Sequence, residues 1–235
     1  MKIIDVLGWS EVEKAMDTLA KRKDEWFPQG FNGIHAVSNP EFFAAMREGA
    51  VYFSNADELV KGFNPAKQLT SAIEKINNGV SLSFDEEYAI ETVWHELMHG
   101  ITGIKATKNI IDKDPFEEGF IQMAARFSYP NLLTELGGSE KHQETIITNG
   151  YAYPNTARNL IEMVRMAGMG IDEVSSQIIE HGLNSRDILA GRLSQGLNIK
   201  QGRIATLYGH AIGKPLSDFI EKVKVLAKHA PRNSP

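Results

Sequence analysis

From residue 84 onward, apolar residues recur at helical spacing almost to the C-terminus, and this periodicity constrains the fold more than any other feature. Gly and Pro residues interrupt it only at intervals, so we expect a series of helices joined by turns. Before residue 84, short β-prone runs lie between Gly, Asn and Pro residues. The sequence therefore predicts an α+β fold that is predominantly helical, with a small N-terminal sheet and a helical C-terminal half.

The N-terminal part contains signals for both strands and helices. Short β-prone runs bounded by turn residues predict strands over 34–37, 51–53 and 80–83. Capping residues and Pro at first helical positions predict helices over 10–25, 40–48 and 65–77. Together these elements would form the small sheet and its flanking helices.

Size and charge restrict the domain organisation and the partners. A chain of 235 residues can form one domain, 1–235, or two subdomains, 1–105 and 106–235, around a cleft. The net charge of −5 argues against a nucleic-acid partner. Residues 196–235 carry seven Lys or Arg against two acids, which is typical of a solvated helix face. A DNA-contacting role for this basic segment, with any metal site in the chain purely structural, is an alternative.

The chain contains no cysteine. A disulfide framework and thiolate metal ligands are thereby excluded, which leaves His, Asp and Glu as ligands for a metal. The N-terminus lacks the apolar run of a signal peptide, and no apolar stretch reaches the roughly 18 residues that span a bilayer. We expect a cytoplasmic protein that does not interact with membranes, although export without a signal peptide stays open.

The segment 83–101 predicts a helix with two histidines on one face. Ser83 and Glu86 form a capping box, so the helix begins at Phe84. His95 and His99 lie four residues apart, roughly 5–6 Å between Cβ atoms, which suits two imidazoles on one zinc ion. Glu96 is rotated by about 100° from His95 and can approach a metal-bound water without being a ligand. The apolar positions that predict the buried stripe are Ile90, Val93, Trp94, Leu97, Met98 and Ile101.

A second capped helix follows. Asp114 is a suitable N-cap, Pro115 a suitable first helical residue and Glu117 a first-turn acid, so the helix begins at Pro115. It is expected to end near Tyr129, where Pro130 follows. Glu118 lies in its first turn, and eighteen residues separate it from His99.

The segment 83–129 resembles the gluzincin metallopeptidases, including the aminopeptidase N group and thermolysin. The resemblance rests on the His-Glu-x-x-His motif, the spacing of eighteen residues and the Glu118-Gly119-Phe120 context. It implies a zincin-like domain in which His95, His99 and Glu118 bind one zinc ion. Glu96 would then be the general base for hydrolysis of a peptide or protein substrate. Glu117 is the rival to Glu118 as third ligand. Adjacent helical residues point in different directions, so only one of the two can face the metal.

The resemblance is incomplete. Thermolysin-type enzymes carry an acid four residues after the ligand Glu, where this chain has Gln122; Glu91 is a possible substitute, or else a solvated charge. The metzincin pattern is excluded, because Thr102 and Lys105 occupy the positions of its Gly and third His. The Gly-rich motif that reads a free amine in aminopeptidases is missing from 64–83, so endopeptidase action or a narrow protein target is expected.

A donor for the tetrahedral oxyanion is expected from the helical half. We favour Tyr153, which lies in a loop-like segment, as this catalytic group. The alternative to an enzyme is a non-catalytic binding or regulatory protein, of the kind found in phages or mobile elements, that keeps a metallopeptidase-like zinc site. The other candidates for the oxyanion donor are His142, Tyr151, Tyr208 and His210.

Overall fold

The computed structural model describes residues 4–5, 32–38, 41–47, 49–56, 60–101, 115–182 and 185–228, without the side chains at 4–5, 101 and 115–117. These ranges contain one small mixed sheet and nine α-helices, which confirms the predicted α+β, predominantly helical fold class. The helix predicted over 10–25 lies outside the described residues. No helix within the described ranges is long and apolar enough to cross a membrane.

Three strands and a two-residue edge strand make up the sheet. The order is β1-β2-β4-β3, with β2 parallel to β4 and both outer pairs antiparallel. The predicted strands at 34–37 and 51–53 are confirmed as β2 and β4. The bounds of the strands are β1 Ile4–Asp5, β2 Ile34–Val37, β3 Ala44–Arg47 and β4 Ala50–Ser54.

The helix predicted over 40–48 is wrong, because the structure has strand β3 there. Ala44 and Met46 are buried while Ala45 and Arg47 are more exposed, an alternation of period two that fits one face of a sheet. The run contains Ala, Met and Arg, which favour helices by local propensity. Antiparallel pairing with β4 outweighs that preference.

Helix α1 begins and ends, and helix α2 begins, where their capping residues predict. Asn64 caps α1 by accepting the N–H of Lys67, and Asn78 follows its last residue. The backbone N–H of Ser83 donates to Glu86 while the N–H of Glu86 donates to Ser83 Oγ, so the capping box of α2 is formed. The helices of the described chain are α1 Pro65–Asn77, α2 Phe84–Ile101, α3 Pro115–Glu135, α4 Gln143–Asn149, α5 Pro154–Met166, α6 Ile171–His181, α7 Ser185–Leu197, α8 Ile204–Ala211 and α9 Leu216–Lys228.

Two further predictions are corrected. The strand predicted over 80–83 is an irregular connection, in which Leu82 is buried and Ser83 caps α2. Helix α3 begins at Pro115 as predicted but continues through Pro130 to Glu135. A proline inside a helix costs ~3 kcal/mol. Leu132 and Leu133 are fully buried beyond it and gain about 1.5–3 kcal/mol each, so continuation is favoured.

The described residues form two compact units. The first takes its residues from 1–108 and 128–146, and in it β3 and α1 pack against α2. The second takes its residues from 109–127 and 147–235. Within the second unit, α5 contacts α6, α7, α8 and α9 and is its central helix. Helix α3 is continuous and contributes residues to both units.

Candidate metal centre

Helix α2 buries an unusual number of polar side chains. Its predicted apolar stripe is confirmed at the five positions whose side chains are described, each at most 2% exposed. Burying a polar group is costly unless it is paired, and a buried ionised carboxylate far more so. Each polar side chain on α2 therefore requires a partner or a function. The buried polar residues of α2 are Glu86, Glu87, Glu91, Thr92, His95, Glu96 and His99.

Glu86 and Glu87 have structural partners. Burial acts to raise the pKa of Glu86, but hydrogen bonds from Lys75, Ser71 and Ser83 outweigh it and lower the pKa from 4.5 to about 2. Glu87, fully buried, accepts the Tyr129 hydroxyl at 2.5 Å. Burial, and then the hydrogen bond to Glu87, raise the pKa of Tyr129 above its usual range, which keeps the phenol a donor.

These contacts also hold α3 against α2. Besides the Tyr129 hydroxyl, Glu87 accepts the backbone N–H groups of Lys141 and His142, which follow α3. One residue before His95, the Trp94 indole N–H donates to Ser128 Oγ at 2.6 Å, which is a second contact between α2 and α3. The C-terminal half of α3 is therefore fixed to the helix that carries both histidines.

The two histidines of the motif point at each other. His95 and His99 are 5% and 6% exposed, and their Nε2 atoms lie 3.1 Å apart. Two nitrogens at 2.0–2.1 Å from a tetrahedral zinc ion would be separated by ~3.3 Å. The observed spacing therefore fits two imidazoles that share one ion.

Glu118 completes a group of three potential ligands. One ligand atom from each of His95, His99 and Glu118 lies within 4.8 Å of the others, and all three residues are buried. Two imidazoles and a carboxylate are a donor set suited to a divalent metal such as zinc. The side chain of Glu117, the rival third ligand, lies outside the described residues.

The glycine after Glu118 has a packing role. A Cβ atom on Gly119 would lie 2.6 Å from Leu160 Cδ1 and 3.0 Å from Thr156 Cγ2, both on α5. A methyl group at residue 119 would require the Leu160 or Thr156 side chain to shift. Phe120, the next residue, packs edge-on against Tyr208, with ring centroids 5.5 Å apart.

Glu96 is held by the sheet. Its Oε2 accepts the backbone N–H of Met46 in β3 at 2.8 Å, and its side chain is 5% exposed. The sequence gives no sign of this contact, because the donor is a backbone group in a segment predicted as helix.

Gln122, Glu91 and Arg126 are also buried, at 2%, 1% and 0% exposure. Burial of Glu91 rules out the alternative that it is a solvated charge on the helix face.

Arg126, which the sequence did not single out, donates to three backbone carbonyls after α3, those of Ile147, Gly150 and Ala152. The sequence does contain a pattern that points to Arg126: Glu118, Gln122 and Arg126 are polar residues at successive intervals of four on a largely apolar helix.

The candidates for the oxyanion donor occupy different environments. Tyr153 immediately precedes α5, is 45% exposed and has a left-handed backbone, with φ at 48°. Tyr151 and His210 are half-buried, and His142 packs edge-on against Phe84. Tyr208 is buried; burial raises its pKa and the charge of Arg186 opposes that rise.

The chain matches no protein-family model, no curated protein and no solved structure. Its likeness to a zinc peptidase therefore rests on the residues of the motif and on the buried group of His95, His99 and Glu118.

Proposed function

We propose that this protein is a zinc-dependent hydrolase that cleaves peptide bonds, with Glu96 as general base. The observation that carries the proposal is the buried group of His95, His99 and Glu118, whose ligand atoms lie within 4.8 Å of one another. A structural zinc site usually has four protein ligands, whereas a catalytic site has three and keeps one position open. Three ligands among the residues that the structure describes, beside a buried, intact Glu96, favour the catalytic arrangement.

The proposed division of labour follows from the side chains. His95 and His99 would hold the ion through Nε2, and the Glu118 carboxylate would reduce the charge of the site. Zinc bound there would supply Lewis-acid chemistry, by which water is acidified and a carbonyl oxygen is polarised. Glu96 would accept the proton of the attacking water and deliver it to the nitrogen of the leaving amine.

Tyr153 stays our prediction for the group that donates to the oxyanion. It is exposed, so its hydroxyl is accessible to a substrate. A tyrosine with positive φ is strained, and such strain is concentrated at functional sites. The proposed substrate is a peptide or protein, cut internally rather than from its free N-terminus.

Metal analysis combined with a Glu96→Gln variant tests the proposal. Purified wild-type protein should contain about one zinc per chain and should cleave an unfolded protein substrate. Glu96→Gln should keep the metal but lose at least ~100-fold in kcat, because an amide cannot accept the proton. The matched control is Glu74→Gln, an exposed position on α1, which should retain both metal and activity.

The outcomes separate the two functional classes. Zinc bound by an inactive wild type would contradict the peptidase proposal and favour the non-catalytic binding protein. Equal activity of Glu96→Gln and wild type would contradict the role of Glu96.

A further inference from the structure

The strand β3 has one edge that is not paired within the described part of the chain. In the order β1-β2-β4-β3 it lies at the end of the sheet and pairs with β4 alone. An unpaired edge exposes backbone N–H and C=O groups that need other partners. The side of β3 away from β4 is therefore where its remaining backbone groups must be satisfied.

The register identifies Met46 as one of these outward-facing residues. In an antiparallel pair, residues alternate between those that bond to the partner strand and those that bond away from it. The N–H of Ser54 donates to the carbonyl of Phe43. The backbone N–H and C=O groups of residues 43, 45 and 47 therefore point toward β4, while those of residues 44 and 46 point toward the free edge. The N–H of Met46 consequently points away from the sheet.

Glu96 is the partner of this outward-facing N–H. The distance from Met46 N to Glu96 Oε2 is 2.8 Å, and the two residues are fifty apart in the sequence. Both are at most 9% exposed, so water does not compete freely for either group. Strand β3 packs against α2, and this brings the donor to the carboxylate.

We propose that the backbone N–H of Met46 is a positioning group for the general base: it fixes the orientation of the Glu96 carboxylate beside the metal-binding histidines. This inference rests on the proposed hydrolase function. A hydrogen bond to Oε2 restricts rotation of a side chain that otherwise has three rotatable bonds. A proton acceptor must be held within a fraction of an ångström of its working place, and a misplacement of ~1 Å can cost about 100-fold in rate.

The role belongs to a backbone atom, so a side-chain substitution cannot test it cleanly. Replacement of residue 46 by the α-hydroxy analogue of Met changes the amide to an ester and removes only the N–H. We expect kcat to fall about 10- to 100-fold, with KM within ~2-fold and the zinc content unchanged. The control is the same replacement at Ala45, whose N–H faces β4; it weakens the sheet but leaves the bond to Glu96 intact. Equal losses of kcat in the two esters, after correction for the fraction of each protein that is folded, would overturn the proposal.

Amide hydrogen exchange supplies a readout that does not need activity or the ester. The N–H of Met46 should be protected in the wild type and in Glu96→Gln, whose side-chain carbonyl can still accept. In Glu96→Ala the protection should fall at least ~10-fold at Met46, while the N–H of Ser54 stays protected. Unchanged protection in Glu96→Ala would overturn the positioning role even if the protein hydrolyses peptides. Loss of protection in Glu96→Ala together with an inactive wild type would overturn the proposed hydrolase function and the positioning role of Met46. The hydrogen bond between Met46 and Glu96 would still be confirmed by that result.

Discussion

At the scale of single residues, buried charges in this protein are stabilised in different ways. Glu86 is satisfied by side chains and by the capping box of its own helix. Arg126 donates to three backbone carbonyls from one segment of chain. Because isolated buried charges are strongly destabilising, each of these arrangements is open to a direct test.

Glu86 should make stability depend on acid pH. Its pKa is about 2 in the folded chain and 4.5 ordinarily, so its contribution is complete above pH 4.5 and is lost as the pH falls toward 2. The shift corresponds to at most about 3–4 kcal/mol. Denaturant unfolding between pH 5 and pH 2 should show a shallower loss of stability for Glu86→Gln than for wild type. Glu74→Gln, at an exposed site, should keep the wild-type slope; an unchanged slope in Glu86→Gln would contradict the assignment.

Arg126 should be one of the residues on which stability depends most. Arg126→Met leaves three carbonyls without their donor, and we expect a loss of roughly 3–5 kcal/mol in the free energy of unfolding. Arg158 is a matched control, since it donates to the carbonyl of Thr148 in the same stretch through a hydrogen bond that is exposed to solvent. Arg158→Met should cost less than ~1 kcal/mol by denaturant unfolding. Similar losses in the two variants would show that burial of Arg126 is unimportant.

At the scale of elements, close approaches between chain segments depend on glycines. Helix α7 contains Gly191 and Gly196, which local propensity treats alike. A Cβ atom on Gly196 would collide with the backbone of Ala167 after α5, lying 2.8 Å from its Cα, whereas a Cβ atom on Gly191 would meet nothing within 4 Å. The tertiary contact therefore separates two positions that are equivalent in sequence.

Substitution of these two glycines should have opposite effects. Gly191→Ala should raise the free energy of unfolding by about 0.5–1 kcal/mol, because Ala restricts the unfolded chain and favours a helix. Gly196→Ala should lower it by about 1–3 kcal/mol, because backbone must shift to admit the methyl group. Thermal unfolding of the two variants beside wild type measures both. A stabilising Gly196→Ala would contradict the close packing of α7 against Ala167.

At the scale of the whole molecule, metal binding and folding should be coupled. The ligand set combines residues from α2 and α3 that the unfolded chain does not hold together. An ion that binds only the folded state stabilises it by mass action. Because the metal site needs residues from both helices, metal binding should increase the free energy of unfolding of the chain.

Zinc should raise the melting temperature through this linkage. A free concentration of 100 times Kd adds ~2.7 kcal/mol, which for a chain of this size is roughly 5–10 °C. Calorimetry with and without a chelator measures the shift. His99→Ala should abolish most of it and Glu118→Gln should reduce it, while Glu74→Gln should preserve it. A full shift in His99→Ala would place the metal elsewhere in the chain.

Local signals determined the helices that carry the motif. The bounds of α1, the start and capping box of α2 and the start of α3 follow from residues within one turn of each end, so the sequence predicts them without tertiary information. The four-residue spacing of His95 and His99 likewise places both imidazoles on one face of α2. These features depend only on interactions between near neighbours in the chain.

Long-range contacts determined the rest. Segment 44–47 is a strand because β4 pairs with it, and α3 passes Pro130 because Leu132 and Leu133 are buried beyond it. The N–H of Met46 reaches Glu96 only after β3 packs on α2, and Arg126 reaches its carbonyls only after the chain turns back. The sequence by itself thus determined which residues can do the proposed chemistry. Only the tertiary structure decided what holds them, because those partners are backbone groups without a sequence signature and lie far away in the chain.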